Sequence, residues 1–383
     1  VVVFDNPTVF NRLGAQNPNW ITYALRRDVV YMHRDQPGDS NNGRLLTELD
    51  NDPDFDKSLL PGRVELRPDK RTRPLVIRGV AGECLTVNFQ NLLAPTANPN
   101  NFIDNPRSVT DNIMINNDQV AGRCAGFHAT GTEAAEHISD MGALVGKNDK
   151  SQAITGNSTN DPGASVCGDG LAEPGGEEIY KLITPHEGAF IINSYGATLG
   201  SEANGGNLGL GMFGALNVQP KGAKMYRSKV SEEEMRLATV GQVPNECEAM
   251  EAAGTTGFVW GINCSVGGQP IINYEATYPN EEPWKSEGKA GLPILNMIKS
   301  NGQGRGELVH SDIDAIIAGP NDDGSFPNDT YPLESVGKNN PQLPNRLEPF
   351  REFTSIYHDE QTNAQVFPKW YADPVLGYTL DGV

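Results

Sequence analysis

The apolar residues of this chain come in short runs, cut every few residues by Gly, Pro, Asn or Asp. A chain so punctuated must fold from many short elements rather than a few long helices. The clearest run is Cys84 to Leu93 (CLTVNFQNLL), where Leu85, Val87 and Phe89 alternate with Thr86, Asn88 and Gln90. That period of two is the mark of a half-buried strand. Leu75-Val76-Ile77 after Pro74, Ile179 to Ile183 and Ala189 to Ile192 read the same way. Trp20 to Tyr31 (WITYALRRDVVY) is the first stretch able to contribute core. Leu208 to Val218 is apolar but dotted with Gly, which suits a bulge or close backbone approach within a sheet. Gly 42 and Pro 27 in 383 residues supply turns for such strands, and 37% hydrophobic content supports a packed core. The spacing therefore predicts a mainly β fold.

Helix signals are few. Ser231 followed by Glu234, ahead of Met235 and Leu237, predicts a capping box and a short helix. Leu292 to Lys299 is expected as a second. Both fall in 221–345, where strand alternation fades and an irregular segment is expected. No run approaches the ~18 apolar residues of a membrane-crossing helix.

A net charge of −19 repels nucleic-acid backbones, so a nucleic-acid partner is not expected. The same charge either gathers cations such as Mn(II), Fe(II) or Ca(II), or keeps a secreted protein soluble. Five cysteines show no C-x-x-C spacing, which argues against zinc ribbons and dithiol redox motifs. Cys124, Cys167, Cys247 and Cys264 are disulfide candidates for an oxidising compartment, and the sequence does not fix their pairing. Cys84 is expected to be a buried free thiol or to pair elsewhere. The opening Val1-Val2-Val3 lacks Met, consistent with a removed leader or a trimmed segment.

Metal candidates are sparse. His310 with Asp312, and His358 with Asp359 and Glu360, join imidazole to carboxylate oxygens, which suits Mn(II) or Fe(II). Each reads more readily as a solvated turn or strand end. Asp50, Asp52, Asp54 and Asp56 alternate like half a calcium loop. Pro53 interrupts them, and Pro61 stands where a bidentate Glu should be, so only a looser calcium site is open. Neither a phosphate-binding Gly-x-x-x-x-Gly-Lys loop nor a Gly-x-Ser-x-Gly elbow is present.

Five segments occur in an informative order: Arg73–Leu93, Arg123–Gly131 (RCAGFHATG), Gly176–Tyr195 (GEEIYKLITPHEGAFIINSY), Gly206–Gly222 and Arg351–Glu360 (REFTSIYHDE). Together they resemble the large bacterial multicopper oxidases, in particular those linked to manganese oxidation. The resemblance implies a cupredoxin-like Greek-key β-sandwich over 20–220, after an N-terminal extension at 1–19. An insertion with short helices at 221–345 and the start of a second cupredoxin domain at 346–383 would follow. It also implies a secreted, periplasmic or cell-surface oxidase passing electrons from a metal ion such as Mn(II) to O2 at copper. Its partners would be further domains or sister chains, with homo-oligomers open. His128 falls at the family's first Phe-His motif, as one copper ligand or a neighbour of one.

The ligand pattern departs from the family. Oxygen-reducing copper clusters take imidazoles in His-x-His pairs. Here His128-Ala129-Thr130 keeps half a pair, Ile191-Ile192-Asn193-Ser194-Tyr195 keeps none, and none of the six histidines lies two residues from another. The copper ligands are thus expected to be completed outside this chain. The alternative is a non-catalytic extracellular assembly module on the same fold.

Overall fold

Alternating burial builds the first sheet. In the computed structural model of the protein, β1 is Val2–Asp5, β2 Ile21–Ala24, β3 Leu75–Val80 and β4 Cys84–Asn91. Next come β5 His128–Ala129, β6 Glu133–Ala134, β7 Glu177–Ile183, β8 Gly188–Asn193 and β9 Phe213–Gln219. The structure describes residues 1–6, 8–9, 16–17, 20–34, 36–94, 124–142, 170–196, 206–242, 270–302, 306–318 and 350–358. One sheet runs β6-β7-β4-β1-β2 and another β3-β9-β8-β5. The expected mainly β architecture is present.

The connections are those of a Greek key. β3 and β4 are neighbours in sequence but lie in different sheets, as do β7 and β8. β1 runs parallel to β4, so sequence-distant strands lie side by side. β4 buries Val87 and Phe89 and turns Cys84, Thr86 and Asn88 outward. On β7, across from it, Tyr180 pairs with Val87 and is buried, while Ile179 is exposed. Tyr23, Phe89, Phe127 and Tyr180 meet as one aromatic cluster, with ring centroids 6.0–6.4 Å apart. Burying each such ring stabilises the fold by about 1.5–3 kcal/mol.

Three elements differ from their expected form. Residues 1–19, expected as an extension, supply β1, a strand paired on both sides whose Val2, Val3 and Phe4 are all buried. Val2 and Phe4 pack with Tyr31, Leu46, Leu49 and Leu60. An unbroken apolar run suits a strand covered on both faces, which alternation cannot flag. Cys84 is free, as one of its two readings had it, but exposed rather than buried. Its even position places it outside Leu85, Val87 and Phe89. Leu292 to Lys299 is not a helix. Pro293 forms a β-bridge with Thr277, and Ile298–Ser300 pairs as a strand with Gly306–Leu308.

The chain divides into two compact units, Val1–Val218 with Ile356–Val383, and Gln219–Ser355. The second holds an antiparallel sheet of β10 (Lys224–Arg227), β11 (Asp314–Ala318) and β12 (Phe350–Phe353). Its core gathers Tyr226, Tyr278, Ile294 and Leu295. Helix α1 (Glu232–Ala238) starts at the expected capping box: Glu234 N–H donates to Ser231 Oγ at 3.2 Å, and Ser231 N–H donates to Glu234 at 2.8 Å. The segment opening at Glu348, read as the start of a further domain, contributes β12 to this sheet.

Candidate functional site

β5 and β8 bring together two of the segments on which the resemblance rests. Their register sets His128 opposite Asn193. Residues paired in this way project to one face. Phe127 points into the aromatic cluster, so by alternation His128 faces the other side. The imidazole is 7% exposed and its Nδ1 donates to the Met141 carbonyl at 2.6 Å. A carbonyl oxygen only accepts, so Nδ1 carries a proton and Nε2 is the ring nitrogen left for other partners. The Tyr195 ring stands edge-on to the imidazole with centroids 4.7 Å apart. Asn193 is 8% exposed, and its Oδ1 has no hydrogen-bond partner.

The residues two positions either side of His128 are Gly126 and Thr130. Thr130 is tied to β8: its N–H donates to Ile191 O at 3.0 Å and its hydroxyl accepts from Ile191 N–H at 3.1 Å. Gly126 is enclosed. A Cβ there would lie 2.6 Å from Leu171 and 2.8 Å from the Tyr180 hydroxyl. Its carbonyl accepts from the Tyr23 hydroxyl at 2.6 Å, and its N–H donates to Ser194 Oγ at 3.0 Å. Burial keeps the Tyr23 phenol protonated, well above its usual titration range.

No protein-family model matches the chain, and no curated protein matches it. Solved structures to which it is similar include Lac15 from a marine microbial metagenome: 19% identity, 38% of this chain and 23% of that one, TM-score 0.17. Another is the multicopper oxidase mgLAC, at 13% identity over 52% of this chain and 42% of that one, TM-score 0.20. The matched regions thus span less than half of either protein.

Copper is the metal the resemblance implies, and the residues present do not fit a paired-imidazole cluster. One imidazole faces an amide and a phenol, and the position that would complete its pair is Thr130, whose hydroxyl accepts from Ile191 N–H. Among the described residues, no group of three or more His, Cys, Asp or Glu side chains is placed to hold a metal ion.

The other candidates are spread over the fold. His310 Nε2 donates to the Pro293 carbonyl at 2.7 Å, while Asp312 lies 3.3 Å from Arg227 Nε. The His358 ring stacks on Phe213 with centroids 4.6 Å apart and stands edge-on to Trp20 at 5.6 Å. Asp359 and Glu360 lie outside the described residues. Of the four alternating aspartates, Asp50 accepts twice from Arg26, at 2.6 and 2.7 Å. Asp52 pairs with Arg44 at 2.8 Å, and Asp56 accepts from Ser58 N–H at 3.0 Å. These carboxylates hold their own loop together, and a calcium site finds no support in them. Cys124 is in a disulfide, Cys84 is free, and Cys167, Cys247 and Cys264 lie outside the described residues.

One charged cluster was not legible beforehand. In the second unit, Arg227 donates to Glu234 Oε1 and to the Ile294 carbonyl, both at 3.1 Å. The Tyr278 hydroxyl also donates to Glu234. Burial works against the Glu234 charge, but Arg227, the Tyr278 hydroxyl and the Ser231 amide outweigh it and hold the carboxyl at about 2. Glu234 was readable as a cap. Its second role joins residues 44 positions apart, which no local pattern carries.

Proposed function

We propose that this chain is a sandwich module of a laccase-like, secreted multicopper oxidase. In this reading the oxidase takes electrons from a reduced metal ion such as Mn(II) and passes them to O2. Its copper is held by residues outside the described ones, contributed by further domains or sister chains. The carrying observation is the adjacency of β5 and β8 within the Greek key. The segments that resemble the family's two imidazole-pair strands, Arg123–Gly131 and Gly176–Tyr195, are hydrogen-bonded neighbours with His128 set against Asn193. The disulfide at Cys124 supports an oxidising compartment, and the charge of −19 supports the gathering of cations.

The test is copper content and Mn(II)-dependent O2 uptake by the complete protein as isolated from its host. The reading expects at least one copper ion per chain and uptake that ceases when copper is removed. Copper well below one ion per chain, with no uptake, sinks it. That result would favour the second reading, a non-catalytic extracellular assembly module. The absence of any His from Ile191 to Tyr195, where the resemblance calls for an imidazole pair, is the observation behind that alternative.

A further inference from the structure

We propose that Asn301-Gly302 is a site of spontaneous covalent modification, at which the folded chain converts its own asparagine to aspartate and isoaspartate. The reaction needs only water, and it is independent of the oxidase reading.

The chemistry begins at the main chain. The Gly302 nitrogen bonds to Asn301 Cγ, the Cγ–Nδ2 bond breaks, and ammonia leaves with the proton that Gly302 gave up. Water then opens the resulting cyclic imide at either carbonyl. One opening gives aspartate; the other gives isoaspartate, with the main chain rerouted through the side chain. A glycine after the asparagine favours ring closure because it sets no Cβ beside the attacking nitrogen.

Two Asn-Gly pairs lie among the described residues, and the fold treats them differently. Both glycines hold positive φ, 84° at Gly43 and 74° at Gly302, and a Cβ on either would meet nothing within 4 Å. Backbone shape and open space therefore do not separate them. Hydrogen bonding does. The Asn42 side chain is held at both ends: its Oδ1 accepts from His33 N–H at 2.6 Å, and its Nδ2 donates to the Gln36 carbonyl at 2.9 Å. The attacking nitrogen is held as well, since Gly43 N–H donates to the Tyr31 carbonyl at 2.8 Å. Ring closure at Asn42 must break all three bonds.

Asn301 is exposed, in the connection between the paired strands Ile298–Ser300 and Gly306–Leu308. Gly302 N–H donates to the Ser300 hydroxyl at 3.2 Å. That acceptor is a rotating side chain on an exposed residue, so water replaces it at little cost. Conversion places a new carboxylate next to the Lys299–Glu307 cross-strand pair. Isoaspartate also lengthens the main chain within the connection that joins the two strands.

Peptide mapping by mass spectrometry tests the proposal on the full chain, held in mildly alkaline buffer either native or unfolded in urea. Each site is compared with itself. Conversion at Asn301 should run at nearly the same rate in both states. Conversion at Asn42 should be slower in the native state by about tenfold or more, the factor imposed by breaking two to three hydrogen bonds. Gly302→Ala should suppress conversion at Asn301 in both states, because its methyl group crowds the attacking nitrogen. A native Asn301 that stays intact overturns the proposal, whatever the unfolded chain does. So does a native Asn42 that converts as fast as Asn301, or conversion at Asn301 that Gly302→Ala leaves unchanged.

Discussion

At the residue scale, the fold depends on a few enclosed positions. Gly126 sits where any side chain would press on Leu171 and Tyr180. Gly126→Ala should therefore destabilise the first unit by about 1–3 kcal/mol, the usual cost of overpacking, measured by urea unfolding. Equal stability would show that the core yields there. Glu234 is the corresponding position in the second unit, with its side chain 12% exposed against Arg227. Removing one partner of a buried pair costs about 3–5 kcal/mol, and Glu234→Gln should show a loss of that order. The pH dependence follows from its depressed carboxyl of about 2. The stability it contributes is full above the unfolded carboxyl value of about 4.3 and fades as pH falls through about 2. In unfolding measurements at pH 7 and pH 2.5, the gap between native and Glu234→Gln should narrow at the lower pH. A constant gap would mean that the charge is not what stabilises.

At the element scale, what repeats locally was readable and what pairs at a distance was not. β4 alternates strictly, and its Val87 and Phe89 are buried as that alternation requires. The Gly-dotted run gave β9, where a Cβ on Gly214 would lie 2.5 Å from the Leu75 carbonyl, the close approach its composition suggested. The capping box at Ser231 and Glu234 gave α1. Ser231→Ala should cost about 1 kcal/mol and reduce hydrogen-exchange protection in Glu232–Ala238; unchanged protection would contradict the cap. β1 was hidden because a strand covered on both faces shows no alternation. Cys84 was misjudged because its apolar neighbours were weighed ahead of its parity. A maleimide probe should label Cys84 in the native protein, and Cys84→Ser should remove that label. Labelling that appears only after denaturation would place the thiol inside.

At the scale of the whole molecule, order along the chain and chemistry at the site point in different directions. Four of the five segments on which the resemblance rests supply strands to the first unit's two sheets, and Arg351–Glu360 supplies β12 to the second unit's sheet. Function was less legible than fold. Fold is set by many redundant apolar positions, whereas a copper cluster depends on a handful of imidazoles, each of which a single substitution removes. His128 was visible as half of a pair. That it stands opposite Asn193 emerges only from pairing between strands far apart in sequence.

The central claim is that His128, set against an amide and a phenol, assembles no copper cluster with the described residues. An anomalous difference map at the copper edge, from crystals of this chain soaked in Cu(II), addresses it most directly. The account predicts no peak within bonding distance of His128 Nε2 and an intact Nδ1 bond to the Met141 carbonyl. A peak bonded to Nε2 and shared with Asn193 or a second imidazole would contradict it.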